Sequence, residues 1–145
     1  MTAAMTSPVL PPREVRLFRA WFLIAAIWNF AGGLPGVFDP AGMFAHEFGY
    51  ALADPVQVAV YRGAWGTALL YGFGFLAVAR DPARHSGVVA MGGLGKALFA
   101  LNLTYMYLNG WTSGFAILVI LGDIVFTAAF VVYFLRLRRS GIPLL

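Results

Sequence analysis

Four long apolar runs, at about residues 20–38, 56–79, 88–108 and 114–135, limit what this sequence can fold into more than any other feature. A hydrocarbon core about 30 Å thick is crossed by about 20 apolar residues in an α-helix, so each run is long enough to span it. Lipid offers no hydrogen-bond partners to the backbone, and a run that enters it does so as a helix. The rest of the composition agrees: 61% of the 145 residues are hydrophobic and 11% charged, against about 25% charged in soluble domains. A soluble domain of this size leaves about 30% of its chain surface exposed, too much to conceal so many apolar side chains. The expected fold is all-α: one integral membrane domain over residues 1–145, a bundle of four transmembrane helices. The first run follows a polar leader, outlasts the apolar stretch of a signal peptide and shows no small-residue cleavage site, so it is expected to be retained.

Of the sixteen charged residues, only Arg62, Lys96 and Asp123 fall inside the runs. Arg13, Arg16 and Arg19 precede the first run, Arg80 and Arg84 lie between the second and third, and Arg136, Arg138 and Arg139 follow the fourth. The other two connections carry no Lys or Arg, and the longer one holds Asp39, Glu47 and Asp54. By the positive-inside rule both termini are expected in the cytoplasm. The net charge of +4 is then a topology and anionic-lipid signal, and no nucleic-acid partner is needed to account for it.

Asp39-Pro40, Asp54-Pro55 and Asp81-Pro82 each suit an N-cap followed by proline at the first helical position. Asp54 and Asp81 are thus expected to start the second and third membrane helices. Asp39 is expected to start a short helix over about residues 40–53. Phe44, Phe48 and Leu52 recur there every four positions with His46 and Glu47 elsewhere, the pattern of an amphipathic helix on the outer membrane surface. Pro35, among Gly32, Gly33 and Gly36, is expected to kink or loosen the end of the first span.

Lys96 and Asp123 stand far from the ends of their runs, where a charge costs roughly 2.5–3.5 kcal/mol on insertion scales. Counted at about 1.5 Å per residue, their depths differ by about 4 Å, within reach of a lysine side chain. Asn29 lies at a similar depth and Tyr71 within about a turn of it. The four form a midplane polar set, either a bridge that fixes helix register or a ligand or proton site. Gly92 and Gly93 beside Lys96, and Gly32 and Gly33 beside Asn29, allow close helix contact or leave room for a ligand. Arg62, near the outer end of the second run, suits snorkelling to lipid phosphate or pairing with Asp39, Glu47 or Asp54; the other reading is an outer-leaflet anion contact. Tyr105, Tyr107 and Trp111 suit an outer aromatic belt and Trp21 the inner interface. Trp28 is mid-span and is expected to fill the core or line a cavity.

Other motifs fail. His46-Glu47 lacks the second histidine of a zinc-binding helix, and His46 and His85 are expected on opposite sides of the membrane. The chain has no cysteine, which excludes disulfides, thiolate nucleophiles and cysteine metal sites. No catalytic residue, metal site or cofactor is expected.

Trp28-Asn29 with a glycine-rich exit, Tyr61-Arg62-Gly63, Gly95-Lys96 and Gly122-Asp123 together resemble the small four-helix bacterial membrane proteins grouped as DoxX-like. That resemblance implies a four-helix bundle in a bacterial cytoplasmic membrane and supplies no catalytic residue. Two functions remain. The first is a non-enzymatic accessory or structural subunit, packed against a membrane-protein partner or its own copies in the lipid bilayer; its 17 glycines favour close helix contact. The second is a small-molecule module for a lipid-like or quinone-like ligand, or a proton-coupled transporter, built on Lys96 and Asp123. Intramembrane acid–base catalysis by either residue has no supporting motif.

Overall fold

A computed structural model of the chain describes residues 9–144; the first eight residues of the polar leader lie outside them. The helices are α1 (Pro12–Phe38), α2 (Pro40–Phe48), α3 (Pro55–Arg80), α4 (Ser86–Leu108) and α5 (Phe115–Arg139). The described residues contain no strand. Two of the three Asp-Pro pairs start helices as expected. Asp39 Oδ1 accepts from the Gly42 N–H at 3.0 Å, and Asp54 Oδ1 accepts from Val56 and Gln57, each at 2.9 Å.

Asp81 does the opposite. It ends α3, and α4 begins only at Ser86, after His85. Pro82 cannot continue a helix and disfavours helical geometry at the residue before it. Asp81 Oδ1 instead accepts from Ala83 N–H at 3.2 Å in the turn that follows. α1 runs through Pro35 and stops three residues later, where the Asp39 N–H bonds the Pro35 carbonyl. α2 is shorter than expected: Gly49, at φ 80°, closes it in a left-handed cap, so Leu52 lies beyond the helix.

α1, α4 and α5 are long and apolar enough to cross a membrane, one fewer than the four expected. α3 has the length, 26 residues, but Gln57, Tyr61, Arg62, Thr67 and its glycines dilute its apolar character. Leu17, Ile24 and Ile27 on α1, Leu94, Leu98 and Leu101 on α4, and Leu118, Leu121 and Ile124 on α5 are all exposed. Apolar surface on that scale suits contact with a lipid bilayer, and the chain is a multi-pass, membrane-associated helical protein.

α1 lies along α3 and α4 along α5. At one end of the bundle the start of α1, the α3–α4 turn and the end of α5 meet. Arg19 donates to the carbonyls of Ala79 (3.0 Å) and Arg80 (3.1 Å), placing a cation on the carbonyl end of α3. The Tyr133 hydroxyl donates to Pro82 O at 2.6 Å, and Arg136 pairs with Glu14 at 3.2 Å. Behind these contacts Phe22, Phe75, Phe130 and Tyr133 form a buried aromatic layer. Phe22 stacks on Phe130 at 5.5 Å and meets Tyr133 edge-on at 5.1 Å.

α2 covers the opposite end. Ser113 N–H donates to Glu47 O at 2.8 Å and Ser113 Oγ to His46 O at 2.9 Å, tying α2 to the segment before α5. Phe44 packs against Phe48, Tyr50 and Tyr61. α2 therefore departs from the surface helix expected, because Glu47, placed among its off-face polar residues, is 2% exposed and points its chemistry inward.

Candidate functional site

Lys96 on α4 and Asp123 on α5 meet as the depth count requires. Nζ lies 2.7 Å from Oδ1, with the residues 7% and 4% exposed. The Trp28 indole N–H donates to the same Oδ1 at 3.0 Å, and Nζ sits 5.0 Å from the centre of the Phe126 ring, a cation–π contact. Both donors converge on Oδ1; among the described residues none reaches Oδ2. Gly122 makes the Trp28 contact possible, since a Cβ there would overlap the indole ring.

The other two members of the expected set do not touch the pair. Asn29 turns to α3, where Nδ2 donates to Ala68 O at 2.8 Å. That carbonyl can only accept, which fixes the amide orientation and leaves Asn29 Oδ1 buried without a partner. Tyr71 packs on Phe75, and its hydroxyl makes no hydrogen bond among the described residues. A Cβ at Gly92 would meet Phe75, and one at Gly93 would press on Phe130, so both glycines allow close packing, and Gly92 also borders a hollow beside the pair.

Asn29, Tyr71, Lys96 and Asp123 nevertheless share one surface. All four line a hollow of about 750 Å³ that reaches from the Lys96–Asp123 pair toward α2, within the usual size range of ligand pockets. Trp65, Ala68, Phe99 and Leu103 supply much of its apolar wall, and Glu47, Phe48, Tyr61 and Phe115 line it toward α2. The aromatic layer of Phe22, Phe130 and Tyr133 is not part of that wall, so the hollow stops above it.

Sequence reasoning left three residues outside the midplane set. Trp28 lines the hollow, in keeping with its expected place in the core or a cavity wall, but its hydrogen bond to Asp123 was not foreseen, although Gly122, the gap it fills, stands next to Asp123. Glu47 is the second: the Tyr61 hydroxyl donates to its Oε2 at 2.5 Å. Burial holds the Glu47 carboxyl above its usual range, with the Tyr61 hydrogen bond and nearby His46 opposing the shift. Tyr61 is the third, and no local pattern links it to a residue on α2.

Arg62 is exposed on α3 and forms no ion pair among the described residues. Its expected partners are engaged elsewhere: Asp39 and Asp54 cap helices, and Glu47 accepts from Tyr61. Comparison of the chain with protein-family models, with curated proteins and with solved structures found no match.

Proposed function

We propose that this chain is a small-molecule module of a bacterial inner membrane, whose hollow holds a hydrophobic molecule above the Lys96–Asp123 pair. The observation that carries this reading is that all four midplane polar residues, on four different helices, line one largely apolar hollow of about 750 Å³. A bridge needed only for helix register has no use for such a space, because close packing is the ordinary state of an interior. The accessory-subunit reading draws on the outward apolar faces, which serve lipid and a partner helix equally. A transport route draws on the same hollow but has no continuation past the aromatic layer.

In this reading α3 is the fourth span of a four-helix bundle. Its 26 residues extend about 39 Å, and Asn29 joins it to α1. Arg62 then lies where a guanidinium can snorkel to phosphate. The end bearing Arg13, Arg16, Arg80, Arg84 and the α5 arginines faces the cytoplasm, as the DoxX-like resemblance also implies.

The test is uptake of a neutral hydrophobic fluorophore, N-phenyl-1-naphthylamine, by the purified chain in nonionic detergent. Wild type is expected to bind it, and Ala68→Trp, which fills the hollow, to lose it. Equal signals from the two proteins overturn the reading.

A further inference from the structure

One basic and two acidic side chains bound the hollow: Lys96, Asp123 and Glu47. Lys96 and Asp123 neutralise each other at 2.7 Å, while Glu47 forms no ion pair among the described residues and has the neighbouring His46 acting on its charge only through space. Among the described residues, its Oε2 accepts from Tyr61 and its Oε1 accepts from nothing. The nearest basic residues in sequence, His46 and Arg62, are exposed, and the His46 ring rests on Phe115 at 4.5 Å. The wall therefore carries two carboxyl groups and one ammonium. A buried acid in that position either holds a proton or is balanced by a cation.

The surroundings of Glu47 suit one kind of cation. Phe48, Tyr61, Trp65 and Phe115 present aromatic surface to the hollow, and aromatic faces attract ammonium groups once water is displaced. A bare metal ion finds no oxygen cage there, since calcium or magnesium calls for about six oxygen ligands.

We infer that the hollow takes an amphipathic organic cation, an alkylated amine or quaternary ammonium, with its charged head against Glu47 and its apolar body along Trp65 and Phe99. This rests on reading the hollow as a ligand site and names the class of ligand. Proton and cation compete for Glu47, whose carboxyl burial already favours the protonated form. The titratable groups around it are His46 on α2, Tyr61 and Tyr71 on α3, Lys96 on α4 and Asp123 on α5; α1 contributes none to the hollow.

The experiment displaces bound N-phenyl-1-naphthylamine from the full chain with dodecylammonium or with 1-dodecanol, which share an alkyl tail. In wild type at neutral pH the amine is expected to displace the probe at roughly tenfold lower concentration than the alcohol, as befits a buried charge pair. Lowering the pH through the titration of Glu47 is expected to erode that preference by up to about tenfold per pH unit. Glu47→Gln, which still offers Tyr61 an acceptor, is expected to bind the probe, show no preference and respond flatly to pH. Equal displacement by amine and alcohol in wild type overturns the assignment and leaves the hydrophobic-ligand reading standing, without recourse to any variant. A preference that survives in Glu47→Gln overturns it as well. A wild-type chain that does not bind the probe overturns both.

Discussion

The two halves of the bundle are built from the same helices and differ in what those helices enclose. Toward the termini, Phe22, Phe75, Phe130 and Tyr133 interleave with Ala25, Ala26 and Ala79, and Arg19 and Tyr133 end on backbone carbonyls, with Arg136–Glu14 as a side-chain pair at the rim. Toward α2, the helices enclose a hollow, and apart from Asn29, which ends on the Ala68 carbonyl, its hydrogen-bonded polar side chains pair with one another: Lys96 and Trp28 with Asp123, Tyr61 with Glu47. A group that bonds a carbonyl of a neighbouring helix fixes that helix in place. A group that bonds another side chain can exchange its partner for a ligand. On the proposed reading the first half is an anchor and the second holds the ligand.

The sharpest way to break that contrast is to make one change in both halves. Phe130→Ala in the packed half is expected to cost about 3–5 kcal/mol. Phe99→Ala on the hollow's wall, where the ring is 37% exposed, is expected to cost about 1 kcal/mol or less. Chemical denaturation in detergent measures both, and equal losses would dissolve the distinction. Next in size, Lys96→Met alone is expected to destabilise by about 3 kcal/mol, because it leaves a buried carboxylate unpaired. Adding Asp123→Leu should recover part of that loss; a double mutant worse than either single change would mean the pair is not a closed ionic unit. In the packed half, Tyr133→Phe strands the Pro82 carbonyl and is expected to cost about 1–3 kcal/mol, read as a lowered unfolding midpoint.

The smallest effect is expected at Glu47 and is a pH dependence. Burial raises its carboxyl pKa in the folded chain above the ordinary 4.5, so the folded state holds its proton more tightly than the unfolded state. Its contribution to stability is then complete below about pH 4.5 and is lost as the pH climbs through the raised folded value. Thermal melts across that range should fall with pH in wild type and run flatter in Glu47→Gln. A slope that is the same in both chains would assign the dependence to another group.

Three of the apolar runs and the meeting of Lys96 with Asp123 were legible because both follow from residue counts at a fixed rise per residue. The Asp-Pro pairs were legible only by halves. Asp followed by Pro suits the start of a helix, as at Asp39 and Asp54, but it also suits the end of one, and Asp81 is decided by the turn after it. The burial of Glu47 was hidden by the four-residue recurrence of Phe44, Phe48 and Leu52, which extends past Gly49 where the helix does not. Distant residues set how α2 is seated: Ser113, bonded to the carbonyls of His46 and Glu47, and Tyr61, bonded to the Glu47 side chain. Asn29 was grouped with the pair by depth and does line the same hollow, but depth says nothing about direction around a helix, and its amide faces Ala68. The weaker apolar character of α3 was present in the sequence as Gln57, Arg62 and its glycines, and length alone concealed it.

Gly122 and Trp28 occupy a single volume from opposite sides. In related chains the two positions should change together or not at all. A side chain gained at 122 must be matched by a smaller residue at 28, and that exchange removes the indole donor from Asp123. The gap and the ring should then be inherited as one trait, so a glycine at 122 without a tryptophan at 28 would mark a lineage in which the carboxylate beside it is held by different means.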